Sequence, residues 1–182
     1  MQHLYNIIAK KLKTNQGPRI WVLNIKYCPI SMLGKDEVRV RYTYSEQVGA
    51  RPFSIDAIRD IDKFSFKVFR QAYLEERSEI LDHDAQDMRI SAIWSFYKNV
   101  HKGDIMLLVT GTKVLCYYNV TGDNVEIENK EDSCEHFWQA ECHSLDEYIE
   151  IKDRFGSPFF KLLDGKLGYQ ILDAINSMRT EG

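Results

Sequence analysis

The run Val100–Asp123 constrains this chain more than any other stretch, because it spells out a turn, a strand, a hairpin and a second strand in close succession. Lys102-Gly103-Asp104 supplies a tight turn whose middle residue enters strained backbone cheaply only as glycine. Ile105 to Thr110 follows as an apolar run, the pattern of a strand buried on both faces. Gly111-Thr112-Lys113 reads as a hairpin connector, and Val114 to Val120 returns with β-branched and aromatic residues. No catalytic group lies in this unit. It reads as a wall of a small β-barrel, which favours a binder over an enzyme.

The remaining elements are placed by periodicity and by turn chemistry. Leu4, Ile7, Ile8 and Leu12 form one helical stripe over residues 2–14, with lysines near the C-terminal end, where the helix dipole favours them. Asn15-Gln16-Gly17-Pro18 ends that helix. Arg19 to Lys26 is a strand closed by Tyr27-Cys28-Pro29, and Glu37 to Ser45 alternates as a half-exposed strand with Arg39 and Arg41 on its open face. A short helix is expected from its cap at Ser54. Phe64 to Leu81 is open between strand and helix at its start, and composition favours helix from Lys67. Met88, Ala92, Ile93, Phe96 and Val100 predict an amphipathic helix over Asp84–Val100. An acidic segment runs from Asp123 to Glu135. Separate strands are expected near Cys134–Cys142 and Leu145–Ile151, and a last helix over Leu167–Arg179. The sum is an α+β fold, a small mixed β-barrel of five or six strands with flanking helices.

Length and charge bound the class. At 182 residues and a formal net charge of −3, the chain can bury a substantial core and carries no global attraction to nucleic acid or membrane. No apolar run is long enough to cross a bilayer, and no signal peptide opens the chain, so a cytoplasmic address is expected. The four cysteines lack a disulfide-scaffold spacing and read as reduced thiols.

Enzymatic and metal chemistry find little footing. Cys134, His136, Cys142 and His143 fit no zinc spacing, and adjacent Cys142 and His143 on a strand point to opposite faces, so no metal and no cofactor are assigned. His83 between Asp82 and Asp84 reads as a solvated helix start. No nucleophile elbow, P-loop or dinucleotide fingerprint occurs.

Aromatic rings beside cations remain. Stacking a base and holding its phosphates needs aromatic faces flanked by Lys and Arg. A base pocket is therefore assigned to Trp94, Trp138, Tyr27, Tyr42, Tyr97 and Asn119, and backbone contacts to Lys26, Arg39, Arg41, Lys98, Lys102 and Lys113. The competing reading makes these rings core.

In order, these elements resemble the PUA-like superfamily and, within it, the EVE/YTH-like domains. The resemblance rests on Arg19-Ile-Trp-Val-Leu-Asn-Ile, on Ile93-Trp-Ser-Phe-Tyr-Lys-Asn-Val-His-Lys-Gly-Asp104, on Val120-Thr121-Gly122 and on Phe137-Trp-Gln-Ala-Glu141. It covers roughly residues 19–151 and is most specific over 93–122. The chain departs from the pattern in its acidic segment and in having Tyr27 where a tryptophan is usual. The resemblance implies an aromatic pocket that takes an extruded, methylated base from duplex DNA. It also implies a role like that of the N-terminal DNA-reading module of McrB-type modification-dependent restriction proteins, alongside further domains or subunits. Three parts are expected: an N-terminal helix and linker (1–18), the barrel domain (19–155) and a C-terminal helical extension (156–182). A protein–protein interaction domain, an RNA-binding PUA-like domain and a nuclease on the same scaffold stand as alternatives.

Overall fold

The computed structural model describes residues 1–26, 30–33, 36–43, 61–76, 83–129, 133–157, 159–162 and 165–180. Within them lie helices α1 (Gln2–Thr14), α2 (Phe66–Glu76), α3 (His83–Trp94) and α4 (Gly165–Thr180). The strands are β1 (Ile20–Asn24), β2 (Ile30–Leu33), β3 (Glu37–Thr43), β4 (Ile105–Thr110), β5 (Lys113–Val120), β6 (Glu126–Asn129), β7 (Ser133–Glu150) and β8 (Phe159–Lys161). They form one mixed sheet in the order β2-β3-β7-β5-β4-β1-β8, with β6 paired to β7. The sheet curls into a half-barrel and does not close. The expected α+β class with a curled mixed sheet is thus met, whereas the barrel is open.

Strand β1 is parallel to β4, and every other pairing is antiparallel. The central pair is buried on both faces, as its apolar runs require. Ile20, Val22, Ile105, Leu107 and Val109 face a core shared with Leu4 and Ile8 of α1 and Ile171 and Ile175 of α4. Their neighbours Trp21, Leu23, Met106 and Leu108 face a second core with Ala92, Phe96, Val100, Tyr118 and Trp138. Period-two alternation assigns each strand's residues to these two cores in turn.

The greatest difference from the sequence pattern is β7. Two strands were expected where one of 18 residues runs through. Its first half pairs with β3 on one edge and β6 on the other, and its second half pairs with β5. A register shift between Val114 and Cys116 absorbs the polar stretch that looked like a break.

Helix α3 also departs from its expected face. Met88 is 48% exposed, while Ile90 and Ile93 join a third core with Phe69, Tyr73 and Ile61. Ala92 and Phe96 face the sheet. The helix is wedged between two apolar surfaces, which a single stripe cannot describe. Phe66–Glu76 settles as helix. The helix expected at Ser54 lies outside the described residues.

Candidate functional site

The α3 helix does not end in the usual way. It widens into one π-helical turn, Ser95–Asn99, before Val100 turns extended. Such turns are rare and gather at functional sites, because the wider spacing re-aims side chains that regular helix would stack. Trp94, Tyr97 and Lys98, three and four positions apart, share one face at this point. The Trp94 ring meets Phe66 edge-on at 5.5 Å and Phe69 at 5.6 Å, with centroid separations typical of aromatic pairs. Lys98 Nζ sits 5.1 Å from the Tyr97 centroid and 5.8 Å from that of Trp94, within cation–π range. Its ammonium also pairs with Asp62 at 3.0 Å.

The electrostatics follow from that packing. Burial, then the hydrogen bond donated to Asp62, push the Tyr97 hydroxyl well above the ordinary phenol range. Asp62 is held below the usual carboxylate value by the hydrogen bonds from Tyr97 and Lys98. The Tyr97 phenol is therefore neutral and the Asp62 carboxylate anionic at neutral pH. Phe66 is 40% exposed beside Trp94, which stays half-buried. An apolar, partly open face with a cation at its rim can stack a flat heterocycle.

The other sequence-assigned residues fall in different places. Trp138 is 3% exposed, lies within the second core and donates its indole N–H to the Phe96 carbonyl at 2.8 Å. It holds the π turn against the sheet. Asn119 is half-buried on β5, paired with Ile105 and Glu141. Tyr27 lies outside the described residues. Arg39, Arg41 and Tyr42 pair along β3 with Phe137, Glu135 and Cys134, and their side chains lie outside the described residues.

The assigned lysines divide between two ends of the β1–β4 pair. Lys102 sits in the turn before β4 and pairs with Asp123 at 3.1 Å, on the Lys98 side. Lys26 follows β1, and Lys113 follows the β4–β5 hairpin, at the opposite end. Strand β4 has six residues, which puts the two ends about 20 Å apart. Arg154, missed in the sequence, joins Lys26 and Lys113. It lies between elements in a bend with no local pattern to mark it.

One buried ionic group orders the first of these ends. Asp104, 4% exposed, accepts from Trp21 Nε1 at 2.8 Å, Arg19 Nε at 3.1 Å and the His101 backbone N–H at 2.9 Å. Gly103, at φ 85°, lets the chain turn there and donates to the Val120 carbonyl. The histidine and thiol of the discounted metal set part company, as strand alternation requires. His143 stacks on Tyr117 at 4.7 Å, while Cys142 packs against the second core. No group of three metal-ligating side chains occurs among the described residues. Nor is any described helix long and apolar enough to cross a membrane.

Compared with known proteins, the chain matches no family model, no curated protein and no solved structure.

Proposed function

We propose that this protein is a nucleic-acid-binding module that stacks one unpaired or extruded base on the aromatic face formed by Trp94, Phe66 and Tyr97. In its fullest form the reading takes that base to be methylated and the duplex to be DNA, within a modification-dependent restriction system. The observation that carries it is the cluster at the end of α3, where a cation sits over two rings beside an exposed third. Stacking on such a platform contributes about 1–3 kcal/mol per base, roughly five- to 150-fold in affinity. That is comparable to the few kcal/mol needed to extrude a base. The role is binding, with chemistry left to other parts of an assembly.

The test is a fluorescence titration of single- and double-stranded oligonucleotides, unmodified or bearing N6-methyladenine or 5-methylcytosine. Wild type and Trp94→Ala are compared at two salt concentrations. Loss of affinity in a folded Trp94→Ala protein supports the reading, and discrimination between bases identifies the one that is read. Undiminished binding by that variant overturns it. If no oligonucleotide binds, the protein-partner reading takes its place. It draws support from a groove of about 960 Å³ between β7 and α4, lined by Leu145, Tyr148, Ile151, Ala174 and Met178 among others.

A further inference from the structure

A second site, built without aromatics, lies at the far end of the β1–β4 pair. Three segments converge there: the residues after β1, the β4–β5 hairpin and the bend after β7. They enclose a pocket of about 300 Å³ lined by Lys26, Thr110, Gly111, Thr112, Lys113, Arg154 and Phe155. That volume falls at the small end of ligand pockets, and a pocket for a drug-like molecule would be lined mostly by apolar side chains. This one carries three formal positive charges in a chain whose net charge is −3.

The three segments are tied to one another rather than merely adjacent. Asn24 is fully buried, and a buried amide is costly unless both of its ends are satisfied. Its Nδ2 donates to the Phe155 carbonyl at 2.7 Å, and its Oδ1 accepts from the Lys26 backbone N–H at 3.1 Å. Phe155 N–H in turn donates to the Gly111 carbonyl at 3.0 Å, and Ile25 N–H to that of Val109 at 3.0 Å. Gly111 adopts φ 59°, so the hairpin closes tightly.

Lys113 lines the pocket, and its Nζ lies 3.9 Å from the centre of the neighbouring Tyr148 ring. Arg154 has no carboxylate partner among the described residues. Glu150, at the end of β7, accepts the Thr112 hydroxyl at 3.2 Å. A planar guanidinium and two ammoniums around one small cavity suit an oxyanion that accepts several charge-assisted hydrogen bonds at once.

We infer that this pocket binds a phosphate monoester group, with Arg154, Lys113 and Lys26 as its ligands and Asn24 as the residue that positions them. The inference goes beyond base stacking and does not depend on it, because no residue is shared with the Trp94 cluster.

The test follows backbone amide shifts while inorganic phosphate, and separately a nucleoside 5′-monophosphate, is titrated into the intact protein. Saturable shifts at Gly111, Thr112 and Phe155 are expected. Arg154→Gln and Lys113→Gln should each weaken binding about tenfold or more, the effect of one charge-assisted hydrogen bond. Lys152→Gln, outside the pocket, should leave binding unchanged. Tighter binding of the nucleotide supports the monoester assignment, and equal or tighter binding of inorganic phosphate overturns it. The inference is overturned by shifts that do not saturate, or by equal weakening in all three variants. It is also overturned by full binding in the folded Arg154→Gln protein. Retained phosphate binding in Trp94→Ala separates this result from the stacking test.

Discussion

At the scale of single residues, two buried groups carry more than their size suggests. Asp104 satisfies three donors at that turn: the Trp21 indole, the Arg19 guanidinium and the His101 amide. Replacing Asp104 by Ala strands the indole N–H in the core and leaves Arg19 without its counter-charge. A loss of about 3 kcal/mol in unfolding free energy is expected from urea denaturation. A loss under about 1 kcal/mol would mean that water replaces the carboxylate. Cys116 sets a different dependence. Burial, and then neighbouring Cys142, push its thiol from an ordinary 9.0 up to about 12. A raised folded-state value means that stability is fully present below the unfolded value and is lost as pH rises toward the folded one. Between pH 9 and 12 the unfolded chain therefore releases a proton that the folded chain keeps. The unfolding free energy should fall by at most about 1.4 kcal/mol per pH unit from this group. Urea melts at pH 8, 9 and 10 check it, and Cys116→Ala should flatten the decline. The raised phenols of Tyr97 and Tyr118 add to the loss only at higher pH.

At the scale of elements, the turn at Gly103 illustrates which signals a sequence transmits well. Its φ of 85° is open only to glycine at low energy, and an added Cβ would meet nothing within 4 Å. Gly103→Ala should therefore cost about 1–2 kcal/mol through backbone strain alone, with no clash to relieve. A thermal or urea melt unchanged from wild type would place that strain elsewhere. This turn, the Gly111 hairpin and the break after Thr14 were legible because glycine, proline and asparagine act locally; Asn15 caps α1 in left-handed backbone at φ 53°. Strand β6 was hidden in the acidic segment, since exposed Glu126 and Glu128 mask a four-residue pairing with β7. Strand β8 has three residues and owes its place to pairing with β1. The π turn left no periodic trace either. Trp94, Tyr97 and Lys98 were legible as residue types, whereas the burial of Trp138 depends on a partner, Phe96, 42 positions away. Trp138→Ala should accordingly cost about 3–5 kcal/mol in stability, as expected for removing a large buried ring. Trp94→Ala, half-buried, should cost less, and equal losses by urea denaturation would count against the distinction.

At the scale of the whole molecule, the two candidate sites sit at opposite ends of one rigid feature, the parallel pair at the centre of the sheet. Their separation of about 20 Å exceeds the range over which substitutions ordinarily couple, so each should act alone on a small ligand. A nucleoside 5′-monophosphate can reach only one of them. With that probe, the effects of Trp94→Ala and Arg154→Gln should add to within about 0.5 kcal/mol. A longer single strand changes the situation, since binding at one end raises the effective concentration of the strand at the other. The pair of substitutions should then become non-additive, and only for strands long enough to span the sheet. Salt should sharpen the contrast. The Lys98 and Lys102 ammoniums already pair with Asp62 and Asp123, so the stacking end displaces few counterions. The Arg154 end should supply most of the dependence, and Arg154→Gln should flatten the slope of log K against log salt by about one unit. Additivity at every strand length, with an unchanged slope, would mean that the two ends serve separate ligands.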